Sequence, residues 1–397
     1  MKKAVKKITY FASVAAIAVI FAGCSTATTS SKGNPVTDNT IKIGENMELS
    51  GAAGGYGNQM NQGIKMAVNE INQVGGVNVN GKKQKFKLIV RDNKTSTNTS
   101  ASVATQLVNN DKVNAIVGTA TTNAGTAQIP NITKAAVPAV SPSATDPNFT
   151  LQKNGKVQPY VFRACYQNNF QGGIGAKFTY NNLKARRVAI LYDNSTDYGT
   201  GLEKAFKDTF KGKVVDTQGF TEGDKDFNAI LTSFKNKKVD AIYVPGYYTE
   251  VGLIIKQARQ AGINVPIIGT DGMADPKLAQ IAGNQNSNKI YYTTPFSTKA
   301  SESNPVAKKF MADYQKKYHT EAPTFSALAY DSVNMIKQAI EDEKSADSTK
   351  IAEGLSKIKN FDGVTGKITI NKQHDPEKPI AIEQLTNGKV SNTYEIK

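Results

Sequence analysis

Residues 41–72 read IKIGENMELSGAAGGYGNQMNQGIKMAVNEIN, a short apolar run followed by a longer amphipathic one. The run Ile41–Met47 contains β-branched residues and is short, which predicts a buried strand. Across Asn58–Asn72 the apolar residues return with helical spacing, so one face would pack into a core: Ile64, Ala67, Val68 and Ile71. A strand followed by a helix that covers it is half of a βαβ unit, from which parallel sheets are built.

The same alternation continues along the chain and predicts an α/β fold. Further strands are expected at Phe86–Arg91, Ala115–Val117, Ala139–Ser141, Val188–Tyr192, Val214–Gly219, Ala241–Val244, Ile267–Gly269 and Ile290–Thr293. Helices are expected at Thr97–Asn110, Thr122–Thr133, Phe170–Asn182, Gly199–Lys211, Phe227–Lys235, Glu250–Ala261, Pro305–Lys317, Thr324–Glu343 and Ser348–Lys357. The chain is expected to close with a pair of strands, Val364–Ile370 and Lys389–Tyr394.

Small polar residues follow several of the predicted strands. These segments are Gly118–Thr122, Ser141–Thr145, Asp193–Gly199, Pro245–Tyr248 and Gly269–Gly272. Ligands of open α/β sheets bind at the carboxyl ends of the strands, where helix N-termini also offer N–H groups to an anion. Each Ser or Thr taken alone is explained as a helix cap, but their recurrence predicts a ligand site.

The length and composition of the chain exclude several classes of function. A chain of 397 residues suggests two or three domains. The formal net charge is +16, but the lysines are spread along the chain and no segment interleaves Arg with aromatic residues, so nucleic-acid binding is not expected. Two Cys and two His residues cannot build a zinc or iron–sulfur site, and no metal or cofactor is expected.

The first 24 residues predict export. A basic start, KKAVKK, precedes an uncharged run from Ile8 to Ala22, which is the pattern of a signal peptide at residues 1–23. The run ends in Gly23-Cys24, which resembles a bacterial lipobox and implies lipidation of Cys24, although Phe21 stands where Leu is usual. Residues 24–39 are rich in Ser and Thr, as in a flexible tether. The alternative is a short N-terminal membrane anchor with an incidental cysteine.

Catalytic motifs are missing from the sequence. It contains no G-x-S-x-G, H-E-x-x-H or phosphate-binding Gly-Lys-Ser/Thr pattern, and Gly54–Gly57 lacks the dinucleotide-binding spacing. His319 and His374 are interpreted as surface residues. The chain is therefore not expected to be an enzyme.

The chain resembles the substrate-binding proteins of branched-chain amino acid ABC transporters, the leucine/isoleucine/valine-binding family. The resemblance covers roughly residues 40–375 and is carried by IKIG at 41–44, LSG at 49–51, Tyr56-Gly57, AVNEIN at 67–72, Gly75-Gly76, Gly118 with Thr121-Thr122, SPSAT at 141–145, VFR at 161–163, YGTGL at 198–202, Asp226-Phe227, GYY at 246–248 and QARQAG at 257–262. It implies a type I periplasmic-binding-protein fold, with two doubly wound lobes joined by three crossovers. Lobe 1 would comprise residues 40–163 and 296–359, and lobe 2 residues 164–295 and 360–397, with crossovers near Phe162–Tyr166, Thr294–Ser297 and Asn360–Asp362.

The resemblance also implies a site in the interlobe cleft. The Thr122 hydroxyl and nearby main-chain N–H groups would hold a ligand carboxylate, and Thr145, the Ser143 carbonyl and Asp271 would hold its ammonium group. Thr122 stands where Ser is common in the family, and Asp271 where some members carry Glu. The other residues that would line this site are Tyr56, Ala120, Thr121, Ala144, Tyr198, Tyr247 and Tyr248.

The resemblance therefore implies capture of a branched-chain or other apolar amino acid and its delivery to an ABC permease. The protein is expected to be a monomer outside the cytoplasm, attached to the membrane through lipid on Cys24. A sensory or transport receptor of the same fold for an amide, urea or another small solute remains an alternative, because only the pocket distinguishes the two.

Overall fold

The computed structural model describes residues 33–396, which contain two mostly parallel sheets. The strands of the first sheet are β1 (Thr40–Met47), β2 (Val77–Val79), β3 (Lys82–Asp92), β4 (Ala115–Val117), β5 (Ala139–Ser141) and β6 (Val161–Arg163). They lie in the order β2-β3-β1-β4-β5-β6, and all neighbours are parallel except β2 and β3. Because β3 and β4 lie on opposite sides of β1, the winding reverses there and leaves a crevice at its carboxyl end.

Helices α1 (Gly54–Gln73), α2 (Thr97–Thr105) and α3 (Thr122–Ala135) connect these strands. The predicted apolar face of α1 is buried as expected. The predicted helix over Thr97–Asn110 is divided, since its last part, Gln106–Asn110, is a π-helical turn.

Helix α1 begins at Gly54 and not at the expected Asn58, so the glycine-rich stretch forms its first turn. Close packing explains the glycines. A Cβ atom at Gly57 would lie 1.9 Å from the Glu48 carbonyl oxygen, and one at Gly55 would lie 2.8 Å from the Tyr248 hydroxyl.

The second sheet continues the alternation. Its parallel strands are β7 (Arg187–Asp193), β8 (Lys213–Phe220), β9 (Ala241–Tyr243), β10 (Ile267–Gly269) and β11 (Ile290–Thr294), in the order β11-β10-β9-β7-β8. The helices beside it are α4 (Asn168–Asn181), α5 (Asp197–Thr209), α6 (Asn228–Asn236), α7 (Tyr248–Gln260) and α8 (Lys277–Ala282). The winding reverses between β7 and β9, which creates a second crevice at the carboxyl ends.

After β11 the chain returns to the first sheet. Three helices form there, α9 (Pro305–Tyr318), α10 (Thr324–Glu343) and α11 (Ser348–Lys357), and α10 packs on α1 and α11. The two helices α1 and α10 approach closely at Gly63, where a Cβ atom would lie 2.1 Å from the Ser326 carbonyl oxygen.

Both predicted closing strands form, but the prediction that they pair with each other is wrong. Strand β13 (Gly366–Ile370) lies between β12 (Phe361–Gly363) and β14 (Pro376–Glu377) in a small antiparallel sheet. Strand β16 (Lys389–Ile396) pairs with β15 (Ile380–Thr386), a strand that the sequence reading did not predict, and β15 adds antiparallel to β11. The expected α/β architecture with parallel sheets is otherwise confirmed.

A buried ion pair joins the end of the first sheet to the segment that precedes β14. The Arg163 side chain is fully buried, and its Nε atom lies 2.7 Å from Asp375 Oδ1. The interpretation of His374 as a surface residue is wrong, since it is only 8% exposed. Its ring stacks on Phe162 with centroids 4.1 Å apart, and its Nδ1 atom lies 3.0 Å from the Val161 carbonyl oxygen. His319, in contrast, is exposed as expected.

Candidate ligand-binding site

A small cavity lies between the carboxyl ends of the two sheets. The residues that line it are Tyr56, Ala120, Thr121, Thr122, Ser143, Tyr198, Tyr247, Asp271, Gly272 and Phe325. The structure thus brings together eight of the eleven residues that the sequence reading assigned to a ligand site.

Three of the predicted residues do not line the cavity. The Ala144 carbonyl accepts a hydrogen bond from Arg163 Nη1 at 2.8 Å, and Thr145 is buried beside it. The Thr145 hydroxyl has no hydrogen-bond partner among the residues that the structure describes. Tyr248 points away, and its hydroxyl donates to the Ala52 carbonyl at 3.1 Å. Of the adjacent pair of tyrosines, Tyr247 is therefore the one that reaches the cavity.

The wall beside the first sheet is organised by Glu48, which the sequence reading missed. This side chain follows β1 and is 0% exposed. Its Oε2 atom accepts the Ala120 N–H at 2.8 Å, and its Oε1 atom accepts the Thr121 N–H at 3.0 Å and the Thr121 hydroxyl at 2.7 Å. Burial raises the pKa of Glu48, while these donors act to lower it. The available signal was an acidic residue directly after a strand at the ligand-facing edge.

Helix α3 presents its N-terminus to the same wall. Thr121 precedes its first residue, yet its side chain does not cap the helix because its hydroxyl donates to Glu48. The first N–H groups of a helix have no intrahelical acceptor, and the helix dipole adds partial positive charge there. Thr122, the first residue of α3, lines the cavity, and its hydroxyl oxygen accepts the Asp146 N–H at 3.4 Å, which leaves the hydroxyl proton as a donor. This end of the cavity is suited to an anion.

The wall beside the second sheet carries a buried carboxylate. Asp271 is 2% exposed, and its Oδ1 atom accepts the Tyr198 hydroxyl at 2.7 Å. The Tyr198 hydroxyl also lies 2.6 Å from Thr270 Oγ1 and accepts the Gly272 N–H at 2.9 Å. Burial raises the pKa of Asp271 to about 6. Among residues 33–396 no ion pair includes Asp271, so this end of the cavity is suited to a cation.

Aromatic rings form the apolar part of the cavity. Tyr198 stacks on Tyr247 with centroids 5.1 Å apart, and Tyr56 meets Tyr247 edge-on at 5.6 Å. Phe325, at the start of α10, lies 4.7 Å from the Tyr56 ring and was not predicted. Its position far along the chain gave no local signal. Phe296, which the sequence reading considered as a possible wall, instead packs near Phe310.

Hydrogen bonds join the two walls of the cavity. The Tyr56 hydroxyl donates to the Gly272 carbonyl at 2.5 Å and accepts the Tyr248 N–H at 3.1 Å. Gln59 Nε2 donates to Asp275 Oδ2 at 2.9 Å. The cleft is therefore closed over the cavity in this conformation.

The family described as Periplasmic binding protein matches residues 40–389. The chain belongs to this family. Its expected type I periplasmic-binding fold is confirmed by solved structures. It is 41% identical to the branched-chain amino acid transporter substrate binding protein LivJ from Streptococcus pneumoniae, solved in complex with isoleucine, with a TM-score of 0.85 over 90% of this chain and 99% of that one.

Two other relatives agree with this assignment. The leucine binding protein LivK from Thermotoga maritima has a TM-score of 0.82 and 32% identity, over 89% of this chain and 98% of that one. The leucine-, isoleucine-, valine-, threonine-, and alanine-binding protein of Pseudomonas aeruginosa is 30% identical over 339 residues, which are 85% of this chain and 87% of that protein. Periplasmic binding proteins are solute-binding proteins that act outside the cytoplasm.

Within residues 33–396 no helix combines the length and the apolar character that crossing a membrane requires. The predicted lipidation site, Cys24, lies outside the described residues. Cys165 is a buried free thiol, and burial raises its pKa to about 12, so it is unreactive at neutral pH.

Proposed function

We propose that this periplasmic binding protein captures a branched-chain or other apolar amino acid and delivers it to an ABC permease. The observation that carries the proposal is the polarity of the cavity. Asp271 lies buried without an ion-pair partner among residues 33–396, and the opposite wall offers Thr122 and the uncapped start of α3. A zwitterion would match both ends, and burying its charges unmatched would cost several kcal/mol.

The rest of the cavity supports an apolar side chain of limited size. The rings of Tyr56, Tyr247 and Phe325 offer carbon surface, and they close around a small cavity that suits a small solute. The relatives agree with this, since the Pseudomonas protein is named for binding leucine, isoleucine, valine, threonine and alanine, the Thermotoga protein for binding leucine, and the Streptococcus protein was solved with isoleucine.

A thermal-shift screen of the purified protein tests this function. The panel contains the twenty amino acids, small amides and urea, and hits are followed by isothermal titration. Isoleucine, leucine or valine should give the largest stabilisation. Stabilisation by an amide or urea, with no response to any amino acid, would instead establish the receptor for another small solute.

We further propose that the two sheets belong to lobes that open and close, with lobe 1 formed by residues 40–163 and 296–359 and lobe 2 by 164–295 and 360–397. The chain passes between the sheets after β6, after β11 and after α11, so three connections could act as the hinge. Closure would trap the ligand between the walls.

Removing one hydroxyl should weaken this closure. We expect Tyr56→Phe to keep the aromatic ring but lose the bonds to the Gly272 carbonyl and the Tyr248 N–H. Since the loss falls on the closed state, the dissociation rate of isoleucine should rise roughly 5- to 30-fold, equivalent to about 1–2 kcal/mol. Stopped-flow measurements give this rate, and Tyr318→Phe, remote from the cavity, is the matched control. An unchanged rate for Tyr56→Phe would show that its hydroxyl does not hold the cleft closed.

We also propose that residues 1–23 are a signal peptide, that lipid on Cys24 attaches a monomeric protein to the membrane, and that residues 24–39 are the tether. The basic and apolar segments before Gly23-Cys24 support this. Cys24→Ala should move the protein from the membrane fraction to the soluble extracytoplasmic fraction, because no acyl chain would hold it. Immunoblots of the two fractions measure the change, with Cys165→Ala as the control. Retention of the Cys24→Ala protein in the membrane would support the uncleaved-anchor alternative.

A further inference from the structure

Glu48 is held rigidly behind the loop that faces the ligand cavity. Its carbonyl oxygen packs against the first turn of α1, where Gly57 permits the close approach. Its side chain is fully buried, and its two carboxylate oxygens receive three hydrogen bonds from Ala120 and Thr121. A carboxylate with fixed backbone and three fixed donors has little freedom to move.

These hydrogen bonds determine which donors remain for a ligand. The N–H groups of Ala120 and Thr121 are directed at Glu48, although both residues line the cavity. The donors left on this wall are the Thr122 hydroxyl and the first N–H groups of α3. Glu48 therefore restricts a ligand carboxylate to one position, at the start of the helix.

Glu48 also contributes charge, because two backbone N–H groups and a hydroxyl donate to its carboxylate and favour the ionised form. Within the described part of the chain neither Glu48 nor Asp271 takes part in an ion pair, and no cationic side chain lines the cavity. Burial, and then the carboxylates of Asp193, Glu48 and Asp271, raise the pKa of the Tyr247 hydroxyl in the cavity wall. Glu48 and Asp271, together with Asp193, thus act on the same enclosed space, in which charge interactions are only weakly screened.

We propose that Glu48 is a positioning residue that also determines specificity: it fixes the Ala120–Thr121 loop and, by its charge, excludes carboxylates that lack an ammonium group. A zwitterion enters because its ammonium group offsets the buried acids, whereas a simple carboxylate adds a further negative charge. The inference rests on the proposed amino acid binding and adds the reason why the deaminated analogue is rejected.

The test compares isoleucine with its deaminated 2-oxo acid, 3-methyl-2-oxopentanoate, by isothermal titration of the purified mature protein. In the wild type isoleucine should bind at least about 100-fold more tightly. In Glu48→Gln, an amide N–H₂ faces a backbone N–H and the charge is lost. Isoleucine should therefore weaken while the 2-oxo acid weakens less or gains, so that their affinity ratio falls at least about tenfold.

Thr121→Val is the matched control, because it removes one hydrogen bond to Glu48 and leaves the charge. It should weaken both ligands alike and keep their ratio within about threefold. An equal loss of both ligands in Glu48→Gln would reduce Glu48 to a structural residue and overturn the proposed specificity.

Asp271→Asn provides a second measurement that does not require a folded Glu48 variant. With Glu48 still charged, the 2-oxo acid should gain less than about tenfold in affinity in Asp271→Asn, and so remain at least about tenfold weaker than isoleucine is in the wild type. A 2-oxo acid that binds Asp271→Asn as tightly as isoleucine binds the wild type would assign the exclusion to Asp271 alone and overturn the role of Glu48. A wild type that binds neither ligand would overturn the proposed function itself, which is a distinct outcome.

Discussion

Asp271→Ala should abolish most of the affinity for isoleucine while leaving the fold intact. The carboxylate is buried and free of an ion-pair partner among residues 33–396, so a ligand ammonium group would be its counter-charge. Removing one partner of a buried charged pair costs ~2–5 kcal/mol, or roughly 30- to 5,000-fold in affinity. Isothermal titration measures the loss, and circular dichroism verifies the fold.

Thr122→Ala is the comparison within the same cavity. It should cost less, about 1–3 kcal/mol, because the first N–H groups of α3 still hold the carboxylate. The 2-oxo acid, which has no ammonium group, should not lose affinity in Asp271→Ala. Wild-type affinity of Asp271→Ala for isoleucine would make Asp271 a turn residue and end the zwitterion argument.

The Asp271 carboxyl group should also make the affinity for isoleucine depend on pH. Burial raises the pKa of Asp271 to about 6 in the ligand-free protein, and an ammonium group binds only the ionised form. Isoleucine affinity should therefore rise with pH up to about 6 and level off above it, and Asp271→Asn should remove this step. The stability of the ligand-free protein has the opposite sign: a raised carboxyl pKa contributes stability at low pH that is lost as the pH rises through about 6.

Asp375→Ala should be among the most destabilising single substitutions. It would leave the Arg163 guanidinium fully buried without its carboxylate, which lies 2.7 Å away in the native protein. Breaking a buried ion pair from one side costs about 3–5 kcal/mol. Urea denaturation gives the change in the free energy of unfolding.

The double variant Arg163→Met/Asp375→Leu distinguishes the cost of leaving a buried charge unpaired from the cost of lost side-chain packing. It removes both charges and should recover a large part of the stability, because no unpaired ion remains buried. Asp208→Ala, which breaks the exposed pair with Lys204, is the matched control and should change stability little. A loss for Asp375→Ala as small as that of Asp208→Ala would show that water or another group compensates Arg163.

The strands that could be predicted from the sequence with correct bounds are those formed by a continuous apolar run. Ala115–Val117, Ala139–Ser141 and Ile267–Gly269 are strands with the expected bounds, since each is a fully buried run with polar residues after it. Strand Ile380–Thr386 was missed because Glu383 interrupts its apolar pattern. In the structure Glu383 is buried and accepts the Tyr292 hydroxyl at 2.8 Å, a partner that no local pattern reveals.

In the ligand site, too, residues with a local sequence signal were predicted and residues placed by long-range contacts were not. Asp271 and Thr122 were predicted because they follow strands whose carboxyl ends meet in space. Glu48 was missed because an acidic residue after a strand is usually a solvated loop residue, and its burial depends on donors from Ala120 and Thr121. Phe325 reaches the cavity through the packing of α10 on α1, a contact between distant parts of the chain.

The hydrogen bond between the Tyr56 hydroxyl and the Gly272 carbonyl makes closure of the cleft depend on the size of the bound solute. The two groups lie on opposite walls, 2.5 Å apart, and can meet only if whatever lies between the walls is small enough. A larger solute would hold the two walls apart and prevent this hydrogen bond, even if the solute had favourable contacts with each wall. The size of the solute would then determine whether the cleft reaches its closed conformation. A partner that recognises only the closed conformation would not bind a protein held open by an oversized solute.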